Sequence, residues 1–436
     1  MTEGSHCSRC QAVFVAQQEV AAIGHNYGED DLCTRCGEHK YLEFSFDTEA
    51  NEYAVVGYKN ELTSIVIPQE YNGYAVTCID ESAFRGCDGL TSITISNRIT
   101  SIGSCAFWEC IGLTSITIPD SVTSIGSAAF SGCNGLISIT IPDGVTSIGS
   151  HAFNRCSGLA AISVSGGNVF YHSEGNCLID VENKSLIAGC KNSVIPTDGT
   201  VTCIDEGAFQ DCVCLTSIII PDNIISIGSY AFYGCSGLVS ITIPNSVTNI
   251  EEGVFGHCTS LVSITIGNSV ECIGSFAFYG CTGLESVVMP NSLISIDNYA
   301  FYGCTGLESV VIPNGVTSIS NTAFSGCNGL EFITANVTSA SAIAKHCGSS
   351  TYNVTISSGS SISNSAFYNC IGLISITIPS SVTRIESGAF YYCANLISIT
   401  FDGTKEEWNA ISKGSNWDSN TGNYTIHCTN GDIAKA

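Results

Sequence analysis

Four cysteines near the amino terminus are the residues whose types and spacing best suit chemistry. Cys7, Cys10, Cys33 and Cys36 form the pattern C-x2-C-x22-C-x2-C, and His25 is a competing ligand. Two such pairs can place four thiolates tetrahedrally around Zn²⁺. Because this segment has few large apolar side chains, a metal would replace its missing core. We therefore predict structural zinc and no catalytic metal; a pair of disulfides, or reduced thiols in a disordered tail, are the alternatives.

The rest of the chain carries no recognisable catalytic motif. Carboxylates such as Glu251 and Glu252 are adjacent in sequence and point in different directions, so they do not form an acid/base pair. Glycine-rich pieces such as GNSVECIG lack the lysine of a phosphate-binding loop. The remaining histidines are scattered and none lies beside a nucleophile motif: His39, His151, His172, His257, His346 and His427. The sequence predicts a protein that is not an enzyme.

Most of the 25 cysteines belong to a repeat. A Phe-x-x-Cys-x-x-Leu pattern occurs twelve times, with a step of 23 residues wherever two copies are adjacent. The phenylalanines are Phe84, Phe107, Phe130, Phe153, Phe209, Phe232, Phe255, Phe278, Phe301, Phe324, Phe367 and Phe390. Such regularity predicts stacked turns of chain, because one unit cannot bury its own apolar face.

One copy, LTSITIPDSVTSIGSAAFSGCNG, explains how a turn would be built. Leu113, Ile116 and Ile118 have the spacing of a leucine-rich repeat strand, and Pro119 ends it. VTSIG predicts a second short strand, and SAAFSGC predicts a helical or 3-10 turn that buries Phe and Cys. In this arrangement the repeat cysteines line one interior column and act as small buried apolar side chains. The alternative is a redox or metal ladder, which the parallel Cβ directions of stacked turns disfavour.

The unit L-x-x-I-x-I-P-x-x-V-x-x-I-G-x-x-A-F-x-x-C-x-x-L resembles the BspA-type leucine-rich repeat. The resemblance extends over about residues 52–401. Together with the repeat count, it predicts a mainly β repeat solenoid, a leucine-rich repeat array of about 13 coils of 23 residues. It also implies a binding or adhesion scaffold of the cell surface without catalytic residues.

Breaks in the 23-residue step predict the domain organisation. We expect a zinc-binding segment at 1–40, a capping hairpin at 41–61, the solenoid at 62–400 and a carboxy-terminal cap at 401–436. A hairpin insertion is expected at about 166–200 and an irregular, more helical coil at about 331–360. In the cap, Thr404 and Glu407 have the spacing of a capping box.

Polar side chains recur at outward positions of the predicted strands. Glu285, Glu308 and Glu331 form a local acidic stripe, beside a column of threonines interrupted by valines. The threonines proposed for a binding face are Thr117, Thr140, Thr242 and Thr265. The column is typical of a solvated β face, and a partner-binding face is the alternative. Ice binding is a more distant one, which the Val and Glu interruptions disfavour.

The charge balance limits the partners. With 39 acidic and 14 basic residues, the formal net charge is −25, which disfavours nucleic acid and anionic lipid. No apolar run is long enough to insert into a membrane, and the start of the chain has no signal-peptide core. We predict a non-catalytic scaffold that binds a protein or a glycan outside the cell. A structural spacer within a larger surface protein is the alternative.

Overall fold

The structure is a computed structural model that describes residues 31, 39–59, 62–348 and 351–435. Cys7, Cys10, Cys33, Cys36 and His25 lie outside these residues, so the zinc site stays a prediction. The chain divides into two compact units, residues 1–159 with 164–170, and residues 160–163 with 171–436. The repeat region expected over 62–400 is therefore shared between two units.

The first unit contains eleven strands among its described residues. They are β1 (Leu42–Asp47), β2 (Glu52–Tyr58), β3 (Ser64–Val66), β4 (Glu70–Tyr71), β5 (Tyr74–Ile79), β6 (Ser92–Thr94), β7 (Ser101–Ile102), β8 (Ser115–Thr117), β9 (Ser124–Ile125), β10 (Ser138–Ile141) and β11 (Ser147–Ile148).

Two sheets organise this unit, and their strands are parallel apart from the pairs β1-β2 and β4-β5. One has the order β3-β6-β8, and the other has the order β1-β2-β5-β7-β9-β11 with β4 paired to β5. Within β3-β6-β8, residues one repeat apart pair directly, as Ser92 pairs with Ser115. β1 and β2 form an antiparallel hairpin, and β2 then pairs in parallel with β5. The hairpin thus occupies the edge of the second sheet.

The remaining elements follow in chain order, and β12 (Ala161–Val164) lies where the chain passes from one unit to the other. The second unit continues with β13 (Tyr171–Glu174), β14 (Cys177–Asp180), β15 (Ser185–Ala188), β16 (Cys203–Ile204), β17 (Ser226–Ile227), β18 (Ser240–Thr242), β19 (Asn249–Ile250), β20 (Ser263–Thr265), β21 (Cys272–Ile273), β22 (Ser286–Val288), β23 (Ser295–Ile296), β24 (Ser309–Val311), β25 (Ser318–Ile319), β26 (Phe332–Ala335), α1 (Val337–His346), β27 (Tyr352–Ile356), β28 (Ser361–Ile362), β29 (Leu373–Ile378), β30 (Arg384–Ile385), β31 (Ser398–Phe401), α2 (Lys405–Ala410), β32 (Ser412–Lys413), β33 (Thr425–Cys428) and β34 (Gly431–Ala434).

The second unit also stacks its coils through two sets of parallel strands. The longer strands form the sheets β18-β20-β22 and β24-β26-β27-β29-β31-β33-β34, in which only the last pair is antiparallel. The shorter strands form β19-β21-β23-β25 and β28-β30-β32. The insertion folds as the antiparallel strands β13, β14 and β15, and β15 continues in parallel to β16 and β17.

The apolar positions of one repeat explain each coil. Leu113, Ile116 and Ile118 are buried, and so are Val122 and Ile125 of the second strand. The alternating residues between them point to solvent, as the two-residue period of a strand requires. Each coil therefore buries one face of two short strands against the same core.

The turn that carries Phe is a series of tight turns instead of the expected helical or 3-10 turn. In eleven of the twelve copies the second residue before Phe has a φ of 52–65°, and in all twelve the second residue after Phe is also left-handed. Left-handed residues do not continue a right-handed helix. Many of these residues are not glycine, for example Ala128 and Tyr230, so residue type does not reveal the left-handed positions.

The phenylalanines form stacks through the core. Ring centroids of successive copies lie 4.9–5.6 Å apart, with interplanar angles of 2–13°. Such aromatic pairs contribute about 0.5–1.5 kcal/mol each beyond their buried area. At the cap, the edge of Trp417 contacts Phe390, with centroids 6.1 Å apart. The stack thus ends on a ring of a different orientation.

The breaks in the repeat add turns to the array. The described chain forms about 16 turns, more than the 13 expected, because the hairpin, the insertion and the irregular coil add strands without a repeat Phe. The irregular coil contains α1, with Asn336 as its N-cap and Cys347 buried at its end. In the cap, the backbone N–H of Thr404 donates to Glu407 Oε2 (2.7 Å), and that of Glu407 donates to Thr404 Oγ1 (3.3 Å). This is the expected capping box at the start of α2.

Candidate functional site

The outward side chains of the longer strands form columns because neighbouring coils pair in register. In the second unit, Thr242 pairs with Thr265, and Thr265 pairs with Val288. Thr242 and Thr265 are exposed. Thr117 and Thr140 are also exposed, but they lie in the first unit. Of the four threonines predicted for the face, the structure places two on the sheet that leads to the acidic stripe.

The acidic stripe is a continuous feature of three successive coils. Glu285, Glu308 and Glu331 are exposed. The backbone N–H of Glu331 donates to the carbonyl of Glu308 (2.8 Å), and that of Glu308 lies 3.5 Å from the carbonyl of Glu285. Adjacent strands lie about 4.8 Å apart, so three carboxylates follow one another along the sheet. Within the described part of the chain none of them forms an ion pair, and their negative charges favour a cationic partner.

Apolar side chains lie beside the stripe, and they are more prominent than the predicted column of threonines interrupted by valines. Val288 is 75% exposed, Val311 is 59% exposed and Phe332 is 53% exposed. Val288 and Val311 occupy the threonine column of the same coils as Glu285 and Glu308, and Phe332 directly follows Glu331. Phe332 stands in the serine column, since it pairs with Ser309. The replacement of Ser by Phe in LEFITA is the signal that could have revealed it.

We call these six residues the Glu/Val/Phe face: Glu285, Glu308, Glu331, Val288, Val311 and Phe332. Neighbouring apolar side chains on a rigid sheet, bordered by charges, are typical of a protein contact surface. The face offers no nucleophile and no general base paired with one.

The interior cysteines are placed for packing, and nine of the twelve repeat cysteines also donate a hydrogen bond to a repeat Phe. Cys258 is fully buried, and its Sγ donates to the carbonyl oxygen of Phe232 in the preceding coil (3.2 Å). Eight further repeat cysteines make the same contact at 2.9–3.2 Å. The sequence predicted the interior column but gave no sign of this regular acceptor.

Burial also changes the acidity of these thiols. Desolvation raises the pKa of Cys258 to about 12, and it raises the pKa of Cys156 to about 12 as well. A thiol with a raised pKa is a poor nucleophile and a poor metal ligand at neutral pH. All cysteines in the described residues are free, and those residues contain no group of three or more His, Cys, Asp or Glu side chains that could hold a metal.

A row of aromatic side chains covers the Phe-bearing turns of four coils of the second unit. Phe276 stacks on Tyr299 (5.3 Å between centroids) and Tyr279 stacks on Tyr302 (5.0 Å). His257 contacts Tyr279 edge to face (5.1 Å) and also contacts Tyr233. The aromatic row is visible in the sequence as the recurring pieces SYAFYGC, SFAFYGC and NYAFYGC, which place an aromatic residue on both sides of Ala-Phe.

A sequence profile of a known repeat family matches most of the chain. The sequence profile described as BspA type Leucine rich repeat region (6 copies) matches residues 51–174, 202–331 and 337–426. The chain belongs to the BspA-type leucine-rich repeat family.

Solved structures of other BspA-type or leucine-rich repeat proteins resemble the fold. A leucine-rich repeat protein from Bacteroides ovatus is 26% identical, with a TM-score of 0.52 over 88% of this chain and 98% of that one. One from Eubacterium ventriosum is 22% identical, with a TM-score of 0.50 over 80% of this chain and 92% of that one. A leucine rich cell surface protein from Faecalibacterium prausnitzii is 26% identical, with a TM-score of 0.46 over 86% and 97% of the two chains. No curated protein is significantly similar in sequence.

Membership of the BspA-type family agrees with the array of stacked coils seen in the structure. Among the residues described, no helix has the length and apolar character needed to cross a bilayer.

Proposed function

We propose that this BspA-type protein is a non-catalytic binding scaffold whose Glu/Val/Phe face recognises a protein or glycan partner. The observation that carries the proposal is the position of three exposed apolar side chains next to three carboxylates in successive coils. Burial of Val288, Val311 and Phe332 against a partner supplies hydrophobic free energy. The carboxylates supply orientation and faster association.

The charge and the apolar content of the face indicate the chemistry of the partner. A protein surface with Lys or Arg around an apolar depression matches both features, whereas nucleic acid is repelled by a chain of net charge −25. A glycan ligand would need basic or neutral groups that tolerate the carboxylates. We therefore favour a basic protein surface over a glycan for this face.

Rigidity supports the same role. The face spans two sheets: β22 pairs in parallel with β20, and β24 pairs in parallel with β26. Where the sheets meet, the N–H of Glu308 lies 3.5 Å from the carbonyl of Glu285, so the side chains are carried by folded strands before binding. A preorganised surface does not lose backbone entropy on binding, and weak contacts can therefore add. Display outside the cell is part of the proposal, because BspA-type repeats are typical of surface proteins.

The proposal is tested by finding a ligand and then locating its contact. Immobilised extracellular-matrix proteins and glycans are screened against the purified chain, and amide hydrogen exchange is then measured with and without the ligand found. We expect slower exchange in β22, β24 and β26, with no change in β3, β6 and β8 of the first unit. Protection confined to other elements, or no ligand at all, would contradict the proposal and favour a structural spacer.

A further inference from the structure

An open, shallow surface cavity of about 250 Å³ interrupts the regular turns near the carboxy-terminal end of the second unit. Its lining comes from three successive coils at three repeated positions. The position three residues before the repeat Phe, or its equivalent in the cap, contributes Asn364, Ser387 and Ser415. The position two residues before Phe contributes Ser365, Gly388 and Asn416. The position directly after Phe contributes Tyr368 and Tyr391.

The same positions are filled by aromatic rings elsewhere in this unit. In three of the earlier coils the second residue before Phe is aromatic, namely Tyr230, Phe276 and Tyr299, and its ring contacts the tyrosine that follows Phe. Near Phe367 and Phe390 the tyrosines after Phe are kept, whereas the rings in front of them are replaced by Ser, Gly and Asn. The cavity therefore forms where the repeat keeps the tyrosine after Phe but lacks the aromatic side chain that covers it in other coils.

A comparison of two glycines shows that the opening is specific. Both Gly253 and Gly388 are left-handed, with φ of 63° and 61°. A Cβ on Gly253 would lie 2.4 Å from Tyr230 Cε1, because the Tyr230 ring covers that coil. A Cβ on Gly388 would meet nothing nearer than Ser365 Oγ at 3.5 Å. Space above Gly388 is therefore open, although the backbone is the same.

The lining is neutral and rich in hydrogen-bonding groups. Ser387 Oγ lies 3.2 Å from Ser415 Oγ, and the rings of Tyr368 and Tyr391 are nearly parallel, with centroids 5.9 Å apart. Glu386, the carboxylate next to the cavity, already accepts from the Asn364 N–H (3.2 Å) and pairs with an arginine. Hydroxyl and amide groups donate and accept, so they match a ligand with many hydroxyls.

We propose that this cavity binds one pyranose unit of a neutral glycan. The C–H face of the sugar packs against Tyr368 and Tyr391, and its hydroxyls bond to the Ser and Asn side chains. An aromatic wall together with several hydroxyl and amide groups suits a single sugar ring. Lys345 Nζ lies beside the lining, where it donates to the carbonyl oxygen of Ser365 (2.9 Å). Anionic sugars are disfavoured because the lining residues are themselves uncharged, Glu386 is close by, and the chain carries a net charge of −25. This site is separate from the Glu/Val/Phe face and does not depend on its function.

The full chain is titrated with methyl β-glucoside, methyl β-galactoside and methyl N-acetyl-β-glucosaminide, by calorimetry and saturation-transfer NMR. We expect at least one of them to bind with a Kd below about 10 mM. Gly388→Tyr fills the cavity with a side chain that Tyr230 and Tyr299 already show to fit this left-handed position. It should weaken binding by about tenfold or more, and Tyr368→Leu should do the same at an exposed residue.

The matched control is Ala128→Tyr, the same change of side chain at the equivalent left-handed position in the first unit, which should leave the Kd unchanged. Changing the three glutamates of the Glu/Val/Phe face should also leave it unchanged. The proposal is overturned if no neutral pyranoside binds the wild-type chain, or if both cavity variants, folded by circular dichroism, bind as the wild type does. Equal affinity for methyl β-glucuronide would show that the ligand class is wrong.

Discussion

At the scale of the residue, the repeat cysteine combines two roles in one side chain. It fills the interior beside Phe, and its thiol donates to the Phe carbonyl of the preceding coil, as Cys258 does to Phe232. That carbonyl also accepts the backbone N–H of Cys235 (3.1 Å), so the thiol is its second donor, and the thiol proton is satisfied inside an apolar core. The Phe-x-x-Cys spacing was enough to predict burial, but the acceptor depends on how far one coil is offset from the next.

This burial predicts loss of stability at high pH. The pKa of Cys258 is about 12 in the folded chain because of burial, against 9.0 for an ordinary thiol. Below pH 9 both states hold the proton and stability is complete. Between pH 9 and 12 only the unfolded state releases it, so the free energy of unfolding falls by about 1.4 kcal/mol per pH unit for each such thiol. Urea unfolding at a series of pH values measures this slope.

Cys258→Ala should reduce that slope by the contribution of one proton. Cys214→Ala, which removes an exposed thiol of the same unit, should leave it unchanged. A free energy of unfolding that is constant from pH 8 to pH 11 would show that the interior thiols ionise equally well in the folded chain.

At the scale of the element, the coil depends on left-handed residues on both sides of Phe. Ala128 has a φ of 52°, which costs an L-residue about 1–2 kcal/mol. Twenty-three-residue periodicity predicted the strands and the buried positions, because these follow side-chain type. It could not predict this turn, because residues as different as Cys105, His151 and Phe276 adopt the same backbone.

Ala128→Gly should therefore raise the free energy of unfolding by up to about 1 kcal/mol, since relief of the left-handed strain exceeds the entropy that glycine loses. Thermal unfolding measures the effect. The matched control is Ala129→Gly, at a fully buried neighbour, which should lower stability by about 1–2 kcal/mol. Equal destabilisation by both changes would show that the left-handed residue is not strained.

The stacked phenylalanines predict a large effect at a single coil. Phe232 lies 5.0 Å from Phe209 and 5.5 Å from Phe255 between ring centroids. Phe232→Ala should cost about 3–5 kcal/mol by leaving a cavity. Phe332→Ala, the same change at a residue that is 53% exposed, should cost less than about 0.5 kcal/mol. Similar losses at the two positions, measured by urea unfolding, would contradict the assignment of the core.

At the scale of the whole molecule, the sequence predicted the architecture better than the surface. Leu113, Ile116 and Phe130 recur with a period that only stacked coils can satisfy. The Glu/Val/Phe face was half predicted, since the glutamates share a repeat position whereas Phe332 replaces a serine. The cavity at Gly388 was not predicted, because it results from small residues at positions where the repeat has no fixed residue type.

The amino-terminal cysteines belong to the same scale, since they would form a separate metal-bound part of the chain. We expect the purified protein to contain one zinc per chain and to lose it in the Cys7→Ser, Cys36→Ser double variant. Metal content by atomic absorption checks this. The circular dichroism of the repeat array serves as the control and should not change. A metal-free protein with Cys7 and Cys10 joined in a disulfide would refute the zinc site.

The most direct test of the proposed scaffold is charge reversal on the Glu/Val/Phe face. Dissociation constants are measured by surface plasmon resonance for the ligand found in the screen, using Glu285→Lys, Glu308→Lys, Glu331→Lys in one chain. The control chain carries Asp222→Lys, Glu251→Lys, Glu271→Lys, an equal charge change at exposed residues of the same unit. We predict a loss of affinity of about a hundredfold or more for the first chain and a change within about threefold for the control. Equal affinities of the two variant chains would contradict the proposed face.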